Sequence, residues 1–414
     1  MLFSALGLCD ELLKTVEEQG YSAPSPIQIK AIPVVLSRRD VMAVADTGTG
    51  KTASFTLPIV QLLSTGSIPQ ARHVRALVIT PTRELAAQVA LSVQSYSRHL
   101  NIRSAVVFGG VRIEPQIVEL QGGLDLLVAT PGRLIDLYNQ QALNFDHLEI
   151  LVLDEADCML DLGFIDDIRR IQTLLPSKRQ TLMFSATFSA EIKALAKGML
   201  NNPLLIEMAG AVSNIDKIKQ LMHPVDKARK TEVLIHLLKK YNWRQVLVFV
   251  RTKDGADSLV GQLENVGINA ASIHGNRTQQ ARTHALDGFR KGNIVVLVAT
   301  DIASRGIDVN QLPCVVNFDL PYVPQDYVHR IGRTGRAGTS GLALSLFSED
   351  ESKQLLAIER VIGRKLERKF IPGFAPSVKA AEDPRDDEEY GNFEADPKPQ
   401  RRGQSQGRGR RGGN

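Results

Sequence analysis

The stretch Val41–Thr52 reads VMAVADTGTGKT and decides the fold. Its first four residues are apolar, a turn rich in Gly and Thr follows, and the next segment, Ala53–Leu63, is compatible with a helix. A strand, a glycine-rich loop and a helix N-terminus together form a cradle for polyphosphate, because inward-turned N–H groups and the helix dipole attract anions. In such a loop Lys51 contacts the β- and γ-phosphates, and the Thr52 hydroxyl binds Mg²⁺.

Length and composition indicate the class of protein. A chain of 414 residues exceeds what one core usually serves, so we expect two domains. The three cysteines are widely spaced, which argues against a disulfide framework and a cysteine metal cluster. No apolar run reaches the roughly 18 to 20 residues of a membrane span, and the N-terminus lacks a basic leader, so we expect a cytoplasmic protein without membrane contact. The net charge of +5 favours a polyanionic partner only weakly.

The N-terminal region contains two prolines ahead of a second apolar run. Pro24 and Pro26 interrupt the chain, and Pro26 occupies the favoured first turn of a new helix. Gln28 then projects from that helix start. Its amide would read adenine if a purine occupied the neighbouring loop, and it would otherwise be a solvated side chain.

Short apolar runs alternate with helical patterns from the loop onward. Runs that are apolar throughout are typical of parallel strands covered on both faces. The pattern therefore predicts a doubly wound α/β domain over residues 1–206, with functional loops at the carboxyl ends of the strands. The predicted strands are Val41–Val44, Ala76–Ile79, Ser104–Phe108, Leu126–Ala129, Ile150–Leu153, Thr181–Phe184 and Leu204–Ile206, and the predicted helices include Glu84–Leu100 and Ile165–Leu175.

An acidic cluster ends one of these strands. Asp154, Glu155 and Asp157 follow the apolar run Ile150–Leu153. Acids at a strand end are often only a loop entry. Beside a phosphate-binding loop, however, Asp154 can hold Mg²⁺, largely through water, and Glu155 can orient an attacking water.

A second α/β unit follows a small polar segment, residues 207–216, which suits a flexible linker. This unit, residues 217–367, lacks a GKT loop of its own, so it is expected to complete the site of the first. Its predicted strands are Val246–Val250, Ala270–Ile273, Ile294–Ala299, Cys314–Phe318 and Leu342–Phe347, and its predicted helices are Lys230–Lys239, Gly255–Val266, Gln279–Lys291 and Glu351–Ile362.

The second unit supplies a cluster of arginines in the run His329–Arg336, HRIGRTGR. Guanidinium groups set among glycines suit the stabilisation of charge on a transferring γ-phosphoryl group. The alternative is a solvated basic turn.

The tail, residues 368–414, is acidic at first and then rich in Arg and Gly. Neither part can bury enough apolar surface to fold, so we expect disorder. The last fifteen residues, 400–414, suit a mobile polycation that binds phosphate backbones, although a merely solubilising tail is the alternative. The tail is also a candidate contact for protein partners.

Taken together, these motifs resemble the DEAD-box RNA helicases, and the overall texture is similar to the bacterial RhlE-type subgroup. The likeness covers about residues 1–365, and many separate motifs occur in the family's order. It implies two tandem RecA-like domains that bind ATP and Mg²⁺ between them and RNA across both, with RNA-stimulated ATP hydrolysis and unwinding of short duplexes or remodelling of RNA–protein complexes without sequence preference.

The resemblance also implies a role for each matching residue. The ATP-binding set is Phe3, Gln28, Ala45, Asp46, Thr47, Gly48, Thr49, Gly50, Lys51, Thr52, Gly306 and Asp308. The catalytic set is Lys51, Asp154, Glu155 and the arginine fingers Arg333 and Arg336, with Thr52 and Asp154 holding Mg²⁺. The set that couples hydrolysis to strand separation is Asp157, Ser185, Thr187 and His329. The RNA-binding set is Pro81, Thr82, Arg83, Gly110, Thr130, Gly132, Arg133, Arg251, Gln279, Arg282 and Thr300.

Two positions depart from the family pattern. Asp46 stands where the family most often has Gln, and its negative charge would weaken nucleotide binding unless the side chain points away. Ser304 stands where Ala is usual, which is a small change. Neither departure removes a residue that the chemistry needs.

Three other functions agree less well with the sequence. An RNA clamp without turnover would lack Lys51, Glu155 or an arginine finger, and all are present. A DNA translocase on the same plan differs in the nucleic acid that stimulates hydrolysis, which depends on contacts to 2′-hydroxyls. A small-molecule kinase is disfavoured by the second domain and the basic tail.

Overall fold

The computed structural model describes residues 1–45, 48–66, 68–208, 218–304, 309, 312–335 and 341–377. The chain forms two α/β units, and each contains a seven-stranded sheet. Every strand pairing in these ranges is parallel. The predicted class, two tandem α/β domains with parallel sheets, is therefore confirmed.

The first sheet has the strand order β3-β4-β2-β5-β6-β1-β7. Its strands are β1 Val41–Val44, β2 Val74–Ile79, β3 Ser104–Val107, β4 Leu124–Ala129, β5 Ile150–Leu153, β6 Gln180–Ser185 and β7 Leu204–Glu207. Its helices are α1 Asp10–Glu18, α2 Pro26–Leu36, α3 Lys51–Ser64, α4 Arg83–Tyr96, α5 Glu114–Leu120, α6 Pro131–Asn139, α7 Ala156–Asp161, α8 Ile165–Leu174 and α9 Ala190–Met199, with a 3₁₀ turn at Phe3–Leu6.

Helices cover both faces of this sheet, which is why its strands read as continuous apolar runs. One core cluster packs α2, α3 and α4 against side chains such as Val41 and Val78, and another packs α6 and α8 against Leu77 and Leu151. Each predicted strand lies within two residues of its observed bounds. The helix predicted to reach Leu100 ends at Tyr96.

The second sheet has the strand order β10-β11-β9-β12-β13-β8-β14. Its strands are β8 Ile218–Pro224, β9 Val246–Phe249, β10 Ala270–Ile273, β11 Val296–Ala299, β12 Cys314–Asn317, β13 Gly341–Phe347 and β14 Glu367–Arg368. Its helices are α10 Lys230–Tyr241, α11 Lys253–Asn265, α12 Gln279–Arg290, α13 Asp301–Ser304, α14 Pro324–Ile331 and α15 Ser352–Ile362, with 3₁₀ turns at Lys227–Arg229 and Glu349–Glu351.

The strand β8 was missing from the predicted elements. It is almost wholly buried although it contains Gln220 and His223. The Gln220 side chain accepts a hydrogen bond from the Tyr327 hydroxyl, and His223 Nδ1 lies 2.6 Å from the Lys369 carbonyl oxygen. Partners distant in sequence thus satisfy these polar groups inside the sheet, which no local pattern reveals.

The predicted start of the tail at Arg368 is wrong. Arg368 pairs with Met222 in β14, and the chain packs on the second domain as far as Ser377, whose backbone N–H and hydroxyl both donate to the Asp226 carboxylate. The apolar side chain of Ile371 is buried, which anchors this segment in the core. Of the predicted linker, residues 207–216, Glu207 ends β7. Residues 209–217 and 378–414 lie outside the described residues, so the predicted flexibility of the linker and disorder of the tail stay predictions.

Within the described ranges, no helix has the length and apolar character needed to cross a lipid bilayer.

Candidate ATP and RNA sites at the carboxyl edges of the two sheets

The predicted phosphate loop joins β1 to α3. Gly48 and Gly50 adopt left-handed backbone angles, with φ of 80° and 93°. Lys51 is 6% exposed, and its Nζ has no hydrogen-bond partner among the described residues. A buried ammonium without a partner is costly, so this position suits an anionic ligand. Asp46 and Thr47 lie outside the described residues.

Gln28 reaches the phosphate loop from α2. Its Oε1 accepts from the Ser25 backbone N–H at 2.8 Å, and its Nε2 lies 3.3 Å from the Gly50 carbonyl oxygen. The first turn of α2 is fixed by Pro26, as predicted, so the amide is held against the loop. Phe3, also predicted for the ATP site, is buried beside Tyr21, with ring centroids 6.3 Å apart.

The acidic pair lies at the carboxyl end of β5, which β6 separates from β1. Asp154 is 2% exposed, and burial raises the pKa of its carboxyl to about 7 against the opposing effect of the Lys51 cation. The Glu155 backbone is left-handed, with φ of 52°, and its N–H donates to Asp154 Oδ1 at 3.0 Å. The left-handed Glu155 thus forms the turn between β5 and α7.

Asp157 connects the acidic turn to the end of β6. Its Oδ2 accepts from the Ala186 N–H at 3.0 Å, and its Oδ1 accepts from the Cys158 N–H at 3.1 Å. The Ser185 hydroxyl oxygen accepts from the Thr187 N–H at 3.3 Å. Of the residues predicted to couple hydrolysis to strand separation, Ser185 and Thr187 are therefore bonded to each other, Asp157 is bonded to the Ala186 backbone between them, and His329 belongs to α14 of the second domain.

The three predicted RNA-backbone motifs of the first domain follow β2, β3 and β4, which are neighbours in the sheet. Thr82 caps α4 by accepting from the Leu85 N–H, and Thr130 precedes α6, whose first turn contains Gly132. Arg133 is 9% exposed and donates from Nη2 to the Val111 carbonyl oxygen at 2.8 Å. The loop after β3 is thus held by a side chain from the motif after β4.

Gln116 is a functional candidate that sequence reasoning missed. Its Oε1 accepts from the Phe108 N–H at 3.1 Å, and its Nε2 donates to the carbonyl oxygens of Phe108 and Arg112 at 3.3 and 3.1 Å. The buried amide brackets the loop that contains Gly110, where φ is 73°. A glutamine six residues after the Gly109-Gly110 pair was the available signal.

The first turn of α12 contacts the first domain. Arg282 Nη2 donates to Glu84 Oε2, and Gln279 Nε2 donates to Glu84 Oε1, both at 2.9 Å. Arg83 Nη1 lies 3.4 Å from Gln279 Oε1. Gln279 and Arg282 of the second domain therefore contact the first domain in this structure. Their direct contact with RNA stays a prediction.

Arg251 and Thr300 follow β9 and β11. Arg251 Nη2 donates to Glu351 Oε1 at 2.7 Å, while its guanidinium lies over the Tyr322 ring. Thr300 is 9% exposed and directly precedes α13. Both residues lie at the carboxyl edge of the second sheet.

The arginine cluster divides into different roles. Arg330 is 2% exposed and bonds both carboxylate oxygens of Asp301, at 2.5 and 2.7 Å, and Asn317 Oδ1 at 3.1 Å. Arg330 is therefore bonded within its own domain. It is not one of the arginines that could bind a phosphate. Arg333 is 7% exposed and follows α14. Arg336, and the segment 305–308 with Gly306 and Asp308, lie outside the described residues.

Comparison with known proteins agrees with this geometry. Residues 25–195 match the DEAD/DEAH box helicase family, and residues 229–338 match the helicase conserved C-terminal domain. The chain is 41% identical to the ATP-dependent RNA helicase RhlB of Pseudomonas syringae over 370 residues, which cover 88% of this chain and 93% of that one. The chain belongs to the DEAD-box family of ATP-dependent RNA helicases. It is also 42% identical to the helicase CshA of Geobacillus kaustophilus, over 89% of this chain and 78% of that one.

The fold of this DEAD-box helicase agrees with that of a solved complex. Saccharomyces cerevisiae Dbp5 bound to RNA and ADP BeF3 is 34% identical, aligns with 89% of this chain and 95% of its own, and gives a TM-score of 0.80. The prediction of tandem RecA-like domains and of an ATP-hydrolysing RNA helicase is confirmed. The RhlE-type subgroup is not, because these relatives are named RhlB and CshA.

The residues present fit a magnesium nucleotide. No cluster of three or more His, Cys, Asp or Glu side chains of metal-binding geometry occurs within the described ranges. The most deeply buried carboxylate of the acidic cluster, Asp154, lies within reach of the charge of Lys51, whose buried ammonium has no hydrogen-bond partner among the described residues. That donor set suits Mg²⁺ bound by one carboxylate, a hydroxyl, water and substrate phosphates.

Proposed function

We propose that ATP binds the first domain with its phosphates against the loop 45–52 and its base at Gln28. Lys51 carries the proposal, because its buried ammonium lacks a partner among the described residues and an anion would supply one. Gln28 supports it, because its amide is already fixed beside the loop. Thr52 and Asp154 would hold Mg²⁺, which neutralises charge on the phosphates when bound.

Hydrolysis then depends on groups from both domains. Glu155 follows the buried Asp154 in a left-handed turn, and its carboxylate orients the attacking water. Arg333 and Arg336 stabilise the charge that develops on the γ-phosphoryl group. Since both arginines belong to the second domain, the site is complete only when the domains are closed.

RNA binds across the carboxyl edges of both sheets. The loops after β2, β3 and β4 form the track on the first domain, and the loops after β9, β10 and β11 form it on the second. Backbone amides, glycines and arginines along these loops suit phosphates and 2′-hydroxyls, so binding has little sequence preference and falls steeply with salt. Each ligand favours closure, and ATP and RNA therefore raise each other's affinity.

The reaction is proposed to unwind short duplexes or remodel RNA–protein complexes in the cytoplasm. Closure bends one strand along the track and ejects its complement, and the hydrogen bond from the Ala186 N–H to Asp157 transmits hydrolysis to that track. The Arg/Gly-rich segment 400–414 adds a polycation that holds nearby RNA, and the RhlE-type subgroup remains part of the proposal.

The decisive experiment is an ATPase and duplex-unwinding assay with matched RNA and DNA oligonucleotides. We expect stimulation by RNA, and little by DNA. Glu155→Gln should abolish turnover while ATP and RNA remain bound, and Arg336→Ala should abolish turnover while nucleotide binding persists. Normal turnover in Glu155→Gln would contradict the water-orienting role, and equal stimulation by DNA would favour a translocase.

A further inference from the structure

Tyr322 is an exposed aromatic residue without an evident structural purpose. The chain is poor in aromatic residues, at 5% of the sequence. Among the aromatic side chains that the structure describes, Tyr322 is the most exposed, at 69%, and the neighbouring Val323 is 52% exposed. Packing in the core therefore does not account for an aromatic residue at this position. An exposed ring of this kind is a candidate for ligand binding, and its place in the fold bears on which ligand it would contact.

The position of Tyr322 continues the proposed RNA track. In the second sheet the order begins β10-β11-β9-β12. The RNA-contact candidates Gln279, Thr300 and Arg251 follow the first three of these strands, and Tyr322 follows β12. Adjacent strands lie about 4.8 Å apart, so the loop after β12 lies one strand beyond the loop that contains Arg251.

A contact joins these two neighbouring loops. The Arg251 guanidinium lies over the Tyr322 ring, with its central carbon 4.5 Å from the ring centroid. The Arg251 backbone N–H also donates to Asp319 Oδ2 at 2.9 Å, three residues before Tyr322. The aromatic ring and the candidate phosphate-binding cation therefore form one surface.

That surface rests on a buried ionic network. Glu351 accepts from Arg251 Nη2 at 2.7 Å, from Lys230 Nζ at 2.5 Å and from the Leu320 N–H at 3.0 Å. The Lys230 and Glu351 side chains are 2% and 3% exposed. A network with so little exposure holds Arg251 in place, so the ring packed on Arg251 is preorganised for a ligand.

We propose that Tyr322 stacks on an unpaired base of the RNA strand, next to the phosphate that Arg251 binds. The inference rests on the proposed RNA track and adds to it a contact with a base. Every nucleobase presents a π-face, so stacking tolerates any sequence, in agreement with binding that has little sequence preference. A cation beside the ring favours a nucleic acid over an apolar protein surface as the ligand.

The test combines variants of the ring with an abasic scan of the RNA. Full-length protein is bound to single-stranded RNA in the presence of ADP and beryllium fluoride, and affinity is measured by fluorescence anisotropy. One abasic nucleotide is then moved along the oligonucleotide, and the scan is repeated with Tyr322→Ala and Tyr322→Phe. Leu356→Ala, at a 52% exposed apolar position on α15 of the same domain, is the matched control.

We expect Tyr322→Ala to weaken RNA binding by about five- to one-hundred-fold, while Tyr322→Phe and Leu356→Ala retain the wild-type affinity. At one RNA position, the abasic nucleotide should weaken RNA binding by the wild-type protein but leave the RNA affinity of Tyr322→Ala unchanged. Wild-type affinity in Tyr322→Ala would overturn the proposal and favour a protein ligand for the ring. An equal loss at every position, without coupling to a base, would also overturn it and reduce Tyr322 to a support for Arg251. Absence of RNA binding by the wild-type protein would instead contradict the proposed track itself.

Discussion

Glu84 and Arg282 join the two domains although they are 198 positions apart in sequence. Arg282 Nη2 lies 2.9 Å from Glu84 Oε2, and the other carboxylate oxygen accepts from Gln279. The Arg282 and Glu84 side chains are 11% and 6% exposed. Solvent screens the attraction within a shielded ion pair of this kind less than that of a surface pair, and separation of the two side chains while they stay buried would leave each charge without its partner. The ion pair therefore favours the arrangement in which the two domains are in contact.

Loss of the Glu84 charge should uncouple RNA binding from hydrolysis. In Glu84→Gln, Arg282 remains largely buried with a weaker acceptor, so the closed state loses stability relative to the open one. We expect a lower RNA-stimulated kcat with nucleotide binding to the first domain retained. A double-mutant cycle with Arg282→Gln should give a coupling free energy of about 0.5–3 kcal/mol. Glu191→Gln, at an exposed position of α9, is the control, and additive effects of the two mutations would show that the pair does not act in closure.

Gly50→Ala should impair nucleotide binding more than the addition of one methyl group suggests. The φ of 93° at this position disfavours any side chain, and an added Cβ would lie 2.6 Å from Gln28 Nε2 and 2.9 Å from Ser25 Oγ. The loop and the Gln28 amide must both shift, so we expect at least a tenfold loss of ATP affinity, measured with a fluorescent ATP analogue. Gly198→Ala, where an added Cβ meets no atom within 4 Å, should bind normally. Unchanged affinity in Gly50→Ala would show that the loop tolerates the shift.

The sheets were predictable because their strands are buried on both faces. Apolar runs such as Leu124–Ala129 indicate such strands from local sequence alone. The strand Ile218–Pro224 was not predictable, because partners such as Tyr327 and the Lys369 carbonyl satisfy its polar groups only in the folded domain. Local patterns report burial of apolar residues and say little about buried polar ones.

In the candidate site, too, some features were predictable from local sequence and others depend on the folded structure. The position of Asp154 after a strand was expected from the apolar run before it. The bonds from Glu84 to α12 were not, since they depend on how two separately folded units dock. The burial of Arg330 was also not predictable from the sequence. Arg330 and Arg333 stand in the same short basic run, and only the folded domain pairs Arg330 with Asp301.

Gln116→Ala should weaken RNA binding without direct loss of an RNA contact. The amide makes three hydrogen bonds to the backbone of the loop that contains Gly110, and each contributes about 1 kcal/mol to holding that loop. We expect the RNA concentration for half-maximal ATPase to rise about tenfold, with kcat at saturating RNA retained. Gln121→Ala, at the exposed end of the same helix, should behave like the wild type. A fall in kcat with an unchanged RNA requirement would contradict a positioning role.

His223 should make the second domain sensitive to acid. The imidazole is 1% exposed, and burial lowers its pKa from 6.5 to about 4, although the Lys369 carbonyl oxygen 2.6 Å away partly opposes that shift. Between these two values the unfolded chain binds a proton that the folded domain does not. Stability from this group is thus complete above about pH 6.5 and is lost as the pH falls towards 4, by about 3 kcal/mol in total.

Urea unfolding followed by fluorescence isolates this effect, because the one tryptophan of the chain, Trp243, lies in the second domain and is 9% exposed. In His223→Gln we expect the free energy of unfolding to fall less steeply between pH 6.5 and 4 than in the wild type, since glutamine takes up no proton. His284→Gln removes a histidine from an exposed position of α12 and should keep the wild-type slope. If His223→Gln and the wild type lose stability in parallel, protonation of other groups drives acid unfolding of this domain.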